Sequence, residues 1–551
     1  MNLEPEGAAA RCRSVVTRFE SERAVERIWS GDASFWKIEA VARHRIESSL
    51  GWLTLPDRIE GTLADLERFG AGARPGADRV LVLGMGGASL APAVFARSFA
   101  PAEGFPALEV LDSTEPSAVA AAAARSDPGR TLFVVSSKSG TTLETSILFD
   151  FFFEHARAEL SDKAAERFVV VTDPGSPLEK EAGKRRVRAV FAGDPLVGGR
   201  YSALSNFGLV PAALTGVDLR ALVGRAQRMA EACRGSASAN PGVLLGAALA
   251  TQALAGRDKL TFSIDAPHER LGRWLEQLVA ESTGKEGRGI VPIDGEPLGP
   301  PQLYGSDRFF VRYETRGRQD PAVAARARAL VEHGHTVATF VLQDSLDLGA
   351  EMFRWELAAA VASRILGVNP FDEPDLADAR SRASAILAGS EPAGPDAPPL
   401  SEAELPGLCA SIRPGDYFVI SAYLHETPET DAALQTIAMK VRRARRVATS
   451  VQFAPRLLHS TGQLHKGGPN TGVFLQITSE ARSALPVPGR PWGFARALEA
   501  QAAGDFAALT ARGRRVARVR LAADVGSGLD ALSAAIEQAL PAGALPGRSV
   551  A

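Results

Sequence analysis

From about residue 78 onward, short unbroken apolar runs alternate with stretches of helical spacing. RVLVLGMGG, LEVLDS, TLFVVSSKSG, RFVVVTD and VRAVFAG are rich in β-branched and aliphatic residues and end in Gly, Ser, Thr or Asp. Runs apolar on both faces mark buried parallel strands joined by helical crossovers. A second series starts at KLTFSID (259–265) and continues through GIVPID, RFFVRY and TVATFVLQD. Ahead of both, Val15, Phe19, Val25, Ile28, Trp29 and Phe35 follow three- and four-residue spacing, which predicts helices over 12–75. GSEPAGPDAPP (389–399) interrupts the pattern as a linker would. Beyond it, DYFVISAYL, RVATSVQFA, GVFLQIT and RVARVRL are further strand candidates, the last preceded by a predicted helix from RPWGF onward. The chain thus divides into a helical segment 1–75, a first α/β unit 76–245, a second 246–388, a linker 389–400 and a C-terminal region 401–551.

Bulk composition narrows the function. In 551 residues, 62 Lys and Arg face 64 Asp and Glu, which argues against a strongly basic nucleic-acid surface. Cys12, Cys233 and Cys409 are far apart and show no CxxC spacing, so a reducing cytoplasm is expected and a structural zinc site is not. The N-terminus lacks a signal pattern and no apolar run approaches 18 residues, so no membrane span is expected.

VVSSKSGTTLET (134–145) raises the first question of chemistry. Strand Leu132–Ser136, loop Ser137–Gly140 and a helix from Thr141 place Ser137, Ser139, Thr141 and Thr142 around a helix N-terminus, with Lys138 among them. Thr141 and Glu144 have capping-box spacing. Free N–H groups and the positive end of the helix dipole converge there, at the carboxyl edge where open α/β sheets bind ligands. A phosphate monoester suits such a cradle, whereas an ordinary N-cap would need only one of these hydroxyls. GMGGASL (84–90) is a glycine turn after the first strand, with Gly86 and Gly87 in it. It is not a strict GxGxxG, although Asp112 leaves a dinucleotide reading open.

Three further stretches carry candidate reactive groups. In HERLGRWLEQLVAESTGKE (268–286), Leu271, Trp274, Leu275, Leu278 and Val279 form an apolar stripe, and Glu281 falls almost on it one turn after Gln277. Buried, that carboxylate would be raised toward base duty; exposed, it would pair with Lys285 at i, i+4. GGRYSALS sets Arg200 behind two glycines. HSTGQLHKGGPN (459–470) offers His459, His465 and Lys466, with no metal-ligand spacing.

LGMGGASLAP, SSKSGTTLET, GGRYSALS, ESTGKEG, GVNPFDEPD and HSTGQ, in this order across roughly 80–465, resemble glucose-6-phosphate isomerases. The chain looks most like the isomerase half of fused transaldolase/glucose-6-phosphate isomerase proteins. The resemblance implies two sugar-isomerase (SIS) domains, flavodoxin-like parallel sheets flanked by helices, with the helical N-terminal segment and a C-terminal extension added. It implies a phosphate loop at Ser137, Lys138, Ser139, Thr141 and Thr142, a glycine turn at Gly86 and Gly87, a base at Glu281 with Gln277 beside it, a ring-opening histidine at His459 and a charge-stabilising Arg200. Two positions depart from the family: Ala88 replaces a frequent serine, and Arg380 stands at a lysine position. The implied reaction interconverts glucose 6-phosphate and fructose 6-phosphate through a cis-enediol, without metal or organic cofactor. A broader isomerase that also takes mannose 6-phosphate, and a non-catalytic SIS-type sensor, are the alternatives. The resemblance also implies a homodimer, with a histidine lent by the neighbouring subunit.

Overall fold

A computed structural model of the chain describes residues 1–392, 396–480 and 484–540. Residues 393–395 of the expected linker and 481–483 and 541–551 of the C-terminal region lie outside the described residues. A short strand β1 (Asn2–Glu4) opens the chain and is followed by helices Glu6–Ser21, Ala24–Trp29, Ala40–Glu47, Leu55–Ile59 and Leu63–Ala73. The first sheet comprises β2 (Arg79–Gly84), β3 (Ala107–Leu111), β4 (Thr131–Ser136), β5 (Phe168–Thr172) and β6 (Ala189–Ala192), in the order β3-β2-β4-β5-β6, all parallel. The second comprises β7 (Lys259–Ile264), β8 (Val291–Ile293), β9 (Arg308–Thr315) and β10 (Thr336–Leu342), parallel in the order β10-β9-β7-β8. β1 adds to its β10 edge antiparallel, a pairing too short to be visible as a pattern.

Two parallel sheets were expected, and the structure adds a third. β11 (Tyr417–Ala422), β12 (Ala448–Phe453), β13 (Gly472–Ser479) and β14 (Arg515–Leu521) pair in parallel in the order β12-β11-β13-β14. Each is one of the predicted apolar runs. In all three sheets the second strand lies outside the first, and the third and fourth follow on its other side.

The apolar runs form strands here because both faces have a core to enter. Along β2, Val80 and Val82 join one hydrophobic cluster, and Leu81 and Leu83 join the cluster on the opposite face. β4 divides in the same way, with Leu132 and Val134 to one side and Phe133 and Val135 to the other. The N-terminal helices pack into the first of these clusters through Phe19, Ile28, Phe35 and Trp52, where Trp52 meets Tyr201 and Phe353. Helix Leu348–Leu366 ends at Gly367, whose φ of +80° is the left-handed conformation of a glycine cap.

Helix Leu271–Thr283 departs from the amphipathic pattern, because every residue from Trp274 to Thr283 is buried. Several of its polar side chains find partners within the protein. Glu276 accepts from Gln452, Ser282 bonds with the Tyr201 hydroxyl, and Thr283 donates to the Val279 carbonyl. This helix packs against elements of all three sheet regions. Among the described residues no helix is long and apolar enough to cross a membrane, and the three cysteines are free and buried.

Candidate active site

The strand order of the first sheet creates the site. β2 and β4 are neighbours whose connections leave in opposite directions, so a crevice opens at their carboxyl ends. From β2 the chain turns through Gly86, which holds φ +58°; a side chain there would come within 2.9 Å of Gln277 Nε2 and 3.0 Å of the His459 carbonyl. At Gly87 an added Cβ would lie 1.9 Å from the Gly199 carbonyl. Both glycines thus allow the turn to close against the segments bearing Arg200 and Gln277. The crevice is a cavity of about 510 Å³, and Gly86, Gly87, Ala88, Arg200, Gln277, Glu281, Arg380 and His459 all line it.

From β4 the hydroxyl loop enters the same cavity. Ser137 Oγ lies 3.0 Å from Thr142 Oγ1, and Ser139 Oγ lies 2.9 Å from Thr141 Oγ1. The Gly140 N–H donates to Ser137 Oγ, and Gly140 takes φ +67°. The helix begins two residues later than predicted: it spans Leu143–Leu160 with Thr142 as N-cap, and the Thr141–Glu144 capping box does not form. Glu144 faces the cavity instead. Lys138 lines the cavity but its ammonium donates to Asp173 and to the Asp194 carbonyl, so its charge is already engaged.

Across the cavity stands Glu281, 6% exposed. Arg200 Nη1 donates to its Oε2 at 2.9 Å, and Gln277 Nε2 lies 3.3 Å from the same oxygen. Burial pushes the Glu281 carboxyl up; Arg200 opposes that, Glu373 adds to it, and Arg380 again opposes. Arg200 is 4% exposed, donates Nη2 to the Asp372 carbonyl at 2.9 Å, and lies 3.4 Å from Glu373. The alternative pairing of Glu281 with Lys285 is overturned. Lys285 donates to the Asn369 carbonyl and to Asp372, and burial pulls it down to about 8. Arg200 and Lys285 together pin the loop that carries Glu373.

His459 comes from the loop after β12, at the carboxyl edge of the third sheet. Its Nε2 donates to Glu144 Oε1 at 2.8 Å, and Gln277 Nε2 donates to its carbonyl at 2.8 Å. Burial alone would raise Glu144, but His459 and its hydrogen bond, with Arg380 further off, bring it below the usual range. The resemblance implied a histidine lent by a neighbour; here His459 reaches the cavity within the same chain. Arg380, on helix Ala377–Leu387, also faces the cavity and is the more exposed of its cations. Lys466 lines it too, with its ammonium on Asp505. His465 does not belong to the site: it is buried against Phe474 and Tyr417, and burial pulls its imidazole well down. Asp112 is held by Arg456 at 3.1 Å, which removes the acid of the dinucleotide reading.

Sequence reasoning missed Glu144, Gln501, Glu373 and Asp505. Glu144 was hidden by its capping-box spacing, and the others by long chain separations. The only available signal was Glu144's place in the first turn of a predicted ligand-binding helix.

The phosphoglucose isomerase family model matches residues 68–294. A glucose-6-phosphate isomerase of Rubrobacter xylanophilus is 30% identical over 386 residues, 61% of this chain and 89% of that one. Among solved structures, a hypothetical protein of Thermus thermophilus aligns with TM-score 0.58 at 25% identity, over 68% of this chain and 97% of its own. A glucose-6-phosphate isomerase from Chlamydia trachomatis shares the fold, with TM-score 0.53 at 19% identity over 67% of this chain. A buried Glu–Arg pair facing a hydroxyl-lined helix start, in a chain that covers the Rubrobacter enzyme almost end to end, leads to one conclusion: the chain belongs to the phosphoglucose (glucose-6-phosphate) isomerase family.

Proposed function

We propose that the protein interconverts D-glucose 6-phosphate and D-fructose 6-phosphate by proton transfer between C1 and C2 through a cis-enediol. The observation that carries this reading is the Glu281–Arg200 pair, buried on the wall of the same cavity as the hydroxyl loop. The phosphate is held by the hydroxyls of Ser137, Ser139, Thr141 and Thr142 and by the N–H groups at the helix start. The sugar then extends across the cavity toward Glu281. Its carboxylate takes the proton from one carbon and returns it to the other. Negative charge developing on the enediol oxygens meets Arg200, whose charge no working pH removes. Ring opening falls to His459: with Nε2–H on Glu144, Nδ1 is the ring atom left to exchange a proton with the sugar. Arg380 supplies charge at this end of the site.

A sensor needs the hydroxyl cradle but gains nothing from a buried base with its own arginine. We take the assembly to be a cytoplasmic homodimer, as the resemblance implies, with each chain holding a complete site.

The test is a coupled assay for glucose 6-phosphate formed from fructose 6-phosphate. Glu281→Gln keeps the side-chain volume and removes the base. Turnover should fall about 10²–10⁴-fold, the worth of one positioned acid–base group, while fructose 6-phosphate still binds. Unchanged turnover removes Glu281 from the mechanism.

A further inference from the structure

Helix Phe494–Ala511 lies far along the chain from the match to the family model, yet it reaches the cavity through Gln501. It packs tightly on the helix that carries Arg380: a side chain at Gly504 would come within 2.8 Å of the Ala379 carbonyl, and Ala500 and Ala503 cluster with Ile386. From the same face, one turn apart, Gln501 and Asp505 point inward. Asp505 takes the ammonium of Lys466. Gln501 Nε2 donates to Glu144 Oε1 at 2.6 Å, the oxygen that also accepts from His459 Nε2. Gln501 is 6% exposed, and its Oε1 is buried without a partner.

We propose that Gln501 is a positioning residue of the isomerisation: through Glu144 it fixes the ring orientation and the Nε2–H tautomer of His459. This inference rests on the function proposed above. A carboxylate as buried as Glu144 survives as an anion only if its lone pairs are occupied by donors. An ionised carboxylate is acceptor-only, so His459 must present Nε2–H to it, and Nδ1 stays free for the sugar. If Glu144 took a proton it would become a donor toward Nε2, and the tautomer would reverse. An amide is well suited to prevent this, since it donates at every pH and never carries charge. The residue type at position 501 therefore sets the pH range over which His459 is ready to work.

The experiment compares wild type, Gln501→Leu and Gln501→Glu, with kcat and KM for fructose 6-phosphate measured from about pH 6 to about pH 9. Gln501→Leu lacks the donor at every pH; its kcat should fall about tenfold or more throughout, with KM within about twofold of wild type. Gln501→Glu can donate only while the introduced carboxyl holds a proton. Two adjacent carboxylates resist ionising together, so this variant should stay close to wild type at the acid end and lose kcat as pH rises. Should Gln501→Leu not fold, the pH dependence of Gln501→Glu decides alone. Wild-type kcat in both variants, or one pH-independent loss common to both, overturns the inference. A wild-type enzyme inactive on fructose 6-phosphate would instead strike the functional reading itself.

Discussion

Replacing Arg200 by methionine removes one charge and almost no volume, and its consequences can be worked through in order. Arg200 Nη1 stands 2.9 Å from Glu281 Oε2. At an effective dielectric of about 20, unit charges at that distance attract by about 6 kcal/mol before desolvation is counted. Without that attraction, burial and the Glu373 charge both push the Glu281 carboxyl up, and only Arg380 and the long hydrogen bond from Gln277 are left to oppose them. The base must be deprotonated to act, so raising it shrinks the active fraction at neutral pH and moves the acid limb of kcat to higher pH. Separately, the enediolate loses its fixed cation, a loss of about 10²–10³ in kcat for one such group. The two effects together should lower kcat at neutral pH by at least about 10³-fold, with partial recovery as pH rises. KM should change little, because Arg200 hydrogen-bonds to Glu281 and the Asp372 carbonyl and not to the hydroxyl loop. Arg200→Lys should recover part of the charge but not the second arm to Asp372. The measurement is kcat against pH in the coupled assay. A methionine variant that keeps the wild-type acid limb and loses less than about tenfold in kcat would refute the assignment of Arg200 as the cation that balances Glu281 and the enediolate.

Thr142→Val removes a hydroxyl whose side chain makes no cap bond to its own helix, so the fold should be untroubled; KM for the sugar phosphate should rise about 10–100-fold with kcat retained, the worth of one hydrogen bond to a charged group. Burial, then the neighbouring Asp294 carboxylate, push Glu276 up to about 8. A carboxyl raised in the folded state costs stability as pH climbs from its unfolded value toward its folded one, here by at most about 5 kcal/mol. Glu276→Gln should therefore raise Tm near pH 8 and leave it unchanged near pH 4 in thermal melts. Because His459 reaches the cavity within one chain, specific activity should stay constant on dilution through any dimer dissociation followed by size-exclusion chromatography; a loss of activity that tracks dissociation would mean that a partner completes the site.

The central strands were legible because their apolar runs enter a core on both faces, and that requirement leaves a continuous signature. β1 was not legible, since a three-residue edge strand carries no periodicity. The third sheet was visible as four separate runs but not as a sheet, because strand pairing is a long-range fact. Helix 271–283 misled in an instructive way. Its apolar residues follow a stripe, and a stripe ordinarily implies a wet opposite face. Here the opposite face is covered as well: Gln277 borders the cavity and donates to the His459 carbonyl, and Glu276 accepts from Gln452. Glu144 shows the same limit from the other side. Its spacing matched a local cap, and a local rule has no means of registering a histidine 315 positions away.

Arg380 can now be judged on its surroundings. It stands at a position where the family resemblance implies lysine, and a guanidinium cannot hand over a proton at any working pH. Its charge nevertheless reaches both Glu281 and Glu144, holding each toward its ionised form. In the mechanism proposed above, Glu281 is the base at the first two carbons and Glu144 holds the histidine that opens the ring. Its permanent charge adds to the larger pull of Arg200 on Glu281 and of His459 on Glu144. In the proposed mechanism the proton of ring opening is then left to His459, whose support is visible in the structure: its carbonyl is held by Gln277, its Nε2 by Glu144, and Glu144 in turn by Gln501. On that mechanism the arginine at 380 and the support around His459 belong together: a cation that supplies only charge leaves the proton transfer to a histidine held in one tautomer.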